Sequence, residues 1–333
     1  MNVFSGTIRS MRGIAIVLIG LVCLTALSGC VPASAVTAPP SNSVANASRL
    51  GVAYNAATDL YYVVSPKSNA VLVYNGLSNS LVATIPTGNN PGAVVVNSVT
   101  DIVYVTNYND KSVSVIDGVA NKVKATITSV GDSPFAIAVN PITNKIYVAD
   151  WLQETGNNLF VFDGNTNALL AGLQVGLSVD YVGGLAVNTT TNKIYASTMN
   201  GVDVVDGTTN TVTAPATLSG LCGAGVAVDQ TTNTVYVITT QNENAITSID
   251  GSNNNIISTI GLPDAPVSLA VDPVTHLVYV AISVYKSLAV VNGGTMAITK
   301  SIPLSDYPLG LDLNTTNNLV YVAGQSSTSA VGM

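Results

Sequence analysis

The chain has 333 residues, 47% of them hydrophobic and only 9% charged, with 28 Gly. That balance is too apolar for a disordered chain and suits many buried strands joined by neutral turns. The formal net charge of −7 opposes binding to polyanions and speaks against nucleic acid as a partner.

At the N-terminus, Arg9 and Arg12 precede an apolar run over residues 13–26, and then comes Leu27-Ser28-Gly29-Cys30. The run falls short of the roughly 20 residues that span a bilayer. A basic end, a short apolar core and small residues before a cysteine resemble a bacterial lipoprotein signal. The resemblance implies that residues 1–29 are a signal peptide cleaved before Cys30 and that Cys30 carries diacylglycerol. It also implies an exported protein held in the cell envelope through its N-terminal lipid. Val31, rather than Asp, after the cysteine points to the outer membrane or cell surface. Loss of Arg9 and Arg12 with the signal leaves 9 basic and 18 acidic residues, a net charge of −9.

Residues 30–48 form a tether rich in Pro, Ala and Ser that cannot build a core. With Cys23 removed and Cys30 acylated, Cys222 is the last thiol, so no intramolecular disulfide is expected. Cys222 stands among glycines leading into a strand, where a small buried thiol is the expected role.

From residue 49 the chain repeats itself. Tyr62, Tyr104, Tyr147, Tyr195, Tyr236, Tyr279 and Tyr321 recur at intervals of 42, 43, 48, 41, 43 and 42 residues. Seven residues before each stands Asn55, Asn97, Asn140, Asn188, Asp229, Asp272 or Asn314. Three residues before each stands Asp59, Asp101, Asn144, Asn192, Asn233, His276 or Asn318. Asn and Asp bond to their own backbone two residues on and tolerate left-handed φ, so each pair flanks a tight reversal between two strands. The flanking runs, "FAIAV" and "IYVA" among them, are β-branched or aromatic. About thirteen residues past most of the tyrosines comes Asn75-Gly76, Asp117-Gly118, Asp163-Gly164, Asp206-Gly207, Asp250-Gly251 or Asn292-Gly293, which marks a second hairpin. Four short antiparallel strands in each repeat, seven times, predict an all-β, seven-bladed β-propeller over residues 49–333.

The segment "VYVTN" at residues 103–107, followed by "SVSVIDGVANKVKATI" at residues 112–127, resembles the YVTN β-propeller repeat family. The resemblance covers the chain from about Leu50 onward and implies the propeller fold without fixing an activity. Counting from Tyr321, the last blade lacks its fourth strand, and residues 39–47 are placed to supply it.

Candidate site residues lie in loops between second and third strands and between blades, which share one end of a propeller. The loop after Tyr147 is enlarged and holds the only Trp, Trp151, with Glu154. Other tips present Tyr108 and Lys111, Tyr285 and Lys286, Asp180 and Tyr181, and Asp306 and Tyr307. A rim of aromatic and amide groups suits a protein, peptide or glycan. The repeating tyrosines, by contrast, are expected to pack between blades with bonded hydroxyls.

Converging catalytic groups are scarce. The single His, His276, occupies a turn on the end opposite the rim, and beyond the signal there are one Arg, Arg49, and two Glu, Glu154 and Glu243. No cofactor or metal site is expected. Two readings result: a non-catalytic recognition or scaffolding module, and, as the alternative, a metal-dependent propeller hydrolase or lyase.

Overall fold

The computed structural model describes residues 51–151, 156–176, 181–217, 223–240, 244–325 and 328–333. The expectations for Cys30, the tether and residues 39–47 lie outside them, as do Arg49, Glu154, Asp180, Cys222 and Glu243. The described strands form seven antiparallel sheets, six of four strands and one of three, each in simple up-and-down order. Blade one comprises Val52–Asn55, Leu60–Ser65, Ala70–Asn75 and Leu81–Pro86. Blades two to six repeat that plan. Blade seven has Pro308–Asn314, Leu319–Gly324 and Thr328–Gly332.

The apolar core lies in layers between successive sheets. Between blades one and two, Ala53, Tyr62, Val64 and Val71 meet Val94, Val103, Val105 and Ile116, and the other seams follow suit. Every repeat tyrosine is buried and faces the next blade; Tyr321 of blade seven faces blade one. Second and third strands are buried almost throughout, while fourth strands such as Lys122–Ile127 and Ala297–Pro303 are largely exposed. The third strand of blade seven, Thr328–Gly332, has no buried residue, because no described strand covers its outer edge.

The Asx positions do the turning that their spacing predicts. Asp59, Asp101, Asn144, Asn192, Asn233, His276 and Asn318 all adopt left-handed φ between 50° and 58°. The earlier Asx caps the same turn: Asn140 Oδ1 accepts from the amides of Ile142 and Thr143 at 3.0 and 3.3 Å. Its Nδ2 reaches the next blade and donates to Asn192 Oδ1 at 2.8 Å. The same link joins Asn55 to Asp101, Asn97 to Asn144 and Asn188 to Asn233, stitching blades together at one end.

The Asx-Gly pairs do mark hairpins, but the glycine is not the left-handed residue. That role falls three residues later, on Asn79, Asn121, Asn167, Asn210, Asn254 and Met296. Glycine is required for close approach instead. Gly118 N donates to Asp101 O at 2.9 Å, and a Cβ there would sit 2.7 Å from that oxygen. A Cβ on Gly251 would also stand 2.8 Å from Tyr195 Oη of the preceding blade.

Candidate functional site

Second-to-third strand loops and blade-to-blade loops share the end opposite the Asx turns, as the strand order requires. The enlarged loop of blade three is pinned at both feet. Asp150 N donates to Asn158 O at 2.9 Å, and the buried Asn158 carboxamide bridges the carbonyl and amide of Val175, both at 2.8 Å. The Asp150 carboxylate is also buried and accepts from the amides of Asp132 and Ser133 at 2.8 and 2.7 Å, so it holds the blade-to-blade loop in place. Trp151 N then bonds Ser133 O at 2.9 Å. A side chain leaving that scaffold has little freedom of direction.

Trp151 is half-buried and lies between two other rings. Its ring centroid is 4.5 Å from Phe135 and 4.1 Å from Tyr181, with Met199 packed against the group. Phe135 comes from the first strand of blade three, Pro134–Asn140, while Tyr181 precedes the first strand of blade four, Val182–Asn188. Tyr181 is only 2% exposed. It therefore backs Trp151 instead of offering a surface of its own, because the indole covers its ring. Phe135 and Met199 were not singled out by sequence reading. The available signal was Phe135 itself, an aromatic at a first-strand position that holds Gly92, Gly183, Ala224, Val267 or Leu309 in other blades.

A second group forms between blades six and seven. Lys286 Nζ stands 4.2 Å from the Tyr307 ring centroid, a cation–π contact, and Tyr285 beside it is 63% exposed. Tyr108 of blade two is partly buried, and its amide bonds Asn90 O at 3.0 Å. Beside it Lys111 Nζ pairs with Asp132 at 2.6 Å; that hydrogen bond and charge raise the ammonium's pKa, but the pair is exposed and contributes little to stability. The structure thus brings Trp151 against Tyr181, and Lys286, beside the exposed Tyr285, against Tyr307.

His276 lies on the other end, as expected. Its Nδ1 is 2.7 Å from the buried Asp229 Oδ2, in place of the link that an Asn Nδ2 makes at the Asn55, Asn97, Asn140 and Asn188 turns. Among the described residues no group of three His, Cys, Asp or Glu side chains is placed to hold a metal ion.

No family model matches the chain, and no curated protein matches it. Among many solved structures of similar shape is the Kuenenia stuttgartiensis hydrazine synthase, at 14% identity and a TM-score of 0.76, covering 85% of this chain and 95% of that one. At that identity the likeness shows the β-propeller fold alone.

Proposed function

We propose that this chain is a YVTN-type propeller lipoprotein, acylated at Cys30, whose aromatic end acts as a non-catalytic recognition or scaffolding module for a protein, peptide or glycan. The observation that carries the reading is the Phe135, Trp151 and Tyr181 cluster, where a partly exposed indole is held by two rings and a doubly anchored loop. Rigid, partly exposed aromatics supply contact area at small entropic cost, as anchors of binding surfaces do. The sequence motif at residues 27–30 supports the lipid anchor, and the uncovered outer edge of Thr328–Gly332 supports residues 39–47 as the fourth strand of blade seven.

The test is capture from envelope extract by wild-type protein and by Trp151→Ala, each normalised to folded molecules. Trp151→Ala should lose tenfold or more in affinity with a melting temperature within a few degrees of wild type. Unchanged capture per folded molecule would overturn the rim reading.

A further inference from the structure

The two ends of the propeller differ in polarity. Apart from Val284, Tyr285 and Tyr307, every exposed large hydrophobic side chain among the described residues lies at the Asx-turn end, in a turn or in the first two residues of a fourth strand leaving it. Leu77 and Val119, at second-hairpin turns of blades one and two, are 79% and 82% exposed. Val99, Ile142 and Val274, at first-turn tips of blades two, three and six, are 73%, 71% and 77% exposed.

Folding does not ask for these side chains. The turn at Val99 is built by Asn97 Oδ1 accepting from the Val99 and Thr100 amides, so any residue serves at the tip. Blades four, five and seven place Thr190, Thr231 and Thr316 at that position. Thr231 Oγ1 of blade five bonds Pro273 O of blade six at 3.1 Å, so the first-turn tips of these two blades adjoin.

The charges at this end point to the kind of surface it meets. Asp163 and Asp206 have lowered pKa values because turn amides bond their carboxylates, and Asp250 because the Ser252 hydroxyl and then its amide do so. Lys145 and Lys193 are drawn onto the carbonyls of Gly207 and Gly251 at 2.6 and 2.8 Å. Those bonds leave the ammonium charges in place, but among the described residues the turns at this end hold eight aspartates against three lysines, so the field is acidic and opposes an anionic surface. Separate aliphatic knobs divided by turn backbone suit a fluid layer into which each inserts independently, whereas a protein partner requires one continuous matched face.

We infer that the Asx-turn end is a lipid-contacting face that seats the propeller on a zwitterionic bilayer and turns the aromatic rim outward. The inference rests on the lipoprotein reading. With residues 39–47 as the fourth strand of blade seven, residues 31–38 alone separate Cys30 from the ring, a reach of at most about 30 Å, so an acylated terminus keeps the domain beside the membrane, where weak insertion suffices.

The test reconstitutes the acylated mature chain into phosphatidylcholine–phosphatidylethanolamine vesicles with and without brominated acyl chains. Three probes are compared: native Trp151, Val119→Trp in a Trp151→Phe background, and Thr208→Trp, the same turn in blade four, in that background. Quenching by brominated lipid and a blue shift at position 119, weaker at 208 and absent at Trp151, is the expected result. A chain carrying Leu77→Ser, Val99→Ser, Val119→Ser, Ile142→Ser and Val274→Ser should keep its melting temperature, since those sites are exposed. With Cys30→Ser added, it should bind vesicles at least tenfold more weakly than Cys30→Ser alone.

Quenching at Trp151 but not at 119, or at neither, overturns the proposal. So does a concentration-dependent dimer that the serine variant abolishes, because the apolar end would then meet a second copy. Absence of acyl mass on Cys30 in exported protein sinks the lipoprotein reading separately, and the Cys30→Ser vesicle titration still decides the face.

Discussion

Tyr321 donates its hydroxyl to Gly76 O across a seam at 3.0 Å, whereas Tyr104, Tyr147 and Tyr195 bury hydroxyls that make no hydrogen bond to the protein. The bonded hydroxyl expected from sequence is therefore confirmed at Tyr321 and not at those three. Burial, then nearby aspartates, pushes their phenols up to about 12. A buried polar group without a partner costs free energy, and its removal relieves that cost. Tyr104→Phe, Tyr147→Phe and Tyr195→Phe should leave stability unchanged or raise it by about 1 kcal/mol, while Tyr321→Phe should lose about 1 kcal/mol, read from urea midpoints. Alkaline titration gives a second check. Because the folded phenols titrate above the unfolded value near 10, the native state keeps protons that the unfolded chain releases, and stability falls as pH rises from 10 toward 12. The Phe variants should flatten that fall. Repeat position made these tyrosines legible in the sequence; whether each hydroxyl finds a partner was not, since that depends on backbone oxygens of the next blade.

At the scale of the element, the turn is the unit that the sequence spells most plainly. Left-handed φ at all seven predicted positions follows from local side-chain chemistry, which needs no tertiary information. The link from one turn to the next blade was not legible, because it joins residues about 45 apart in the chain. His276 shows the link's logic. Where Asn188 Nδ2 donates to Asn233 Oδ1, the next seam has Asp229, which can only accept when ionised, and a ring nitrogen at 276 supplies the donor. His276→Asn should therefore be nearly neutral, as an amide keeps the donor and tolerates the φ of 58°. His276→Ala should cost about 2 kcal/mol, from a buried carboxylate left short of a partner and a β-carbon at left-handed φ. Equal stability of the two variants in thermal unfolding would show that the link contributes nothing. The rim was half legible in the same sense: Trp151 stood out as the sole indole in a long loop, while Tyr181 read as a tip residue and proved to be its buried support.

The whole molecule depends on the seam between blades seven and one, where the sheet of blade seven has three described strands. Tyr61 stacks on Tyr321 at 4.3 Å and on Tyr74 at 5.1 Å, and Tyr54 tilts against Tyr321 at 5.4 Å, an aromatic layer found at this seam. Nothing in the period announced it, because Tyr54, Tyr61 and Tyr74 fall beside the repeating tyrosine position. Asp312 adds a second clasp. Five of the other six blades have Ala at its first-strand position, as at Ala53 and Ala138. Its carboxylate accepts from Tyr54 N of blade one at 2.7 Å and from Leu313 N at 2.8 Å. Although the residue keeps some surface, the carboxyl is turned into the seam. Burial raises its pKa from 3.8 to about 6, against the lowering effect of the two amides. Since the folded value exceeds the unfolded one, the native state holds a proton that the unfolded chain has lost between pH 4 and 6, and stability falls as pH rises through that window. Below pH 4 the sign reverses: the lowered pKa values of Asp163, Asp206 and Asp250 give stability that is lost as their carboxylates protonate. Denaturant midpoints measured from pH 3 to 8 should peak near pH 4 to 5 and decline by on the order of 2 kcal/mol toward pH 7. Asp312→Asn cannot ionise, so its decline over pH 4 to 7 should vanish whatever its absolute stability. A wild-type slope retained in that variant would place the titrating group elsewhere and leave the tyrosine layer as the clasp that closes the ring.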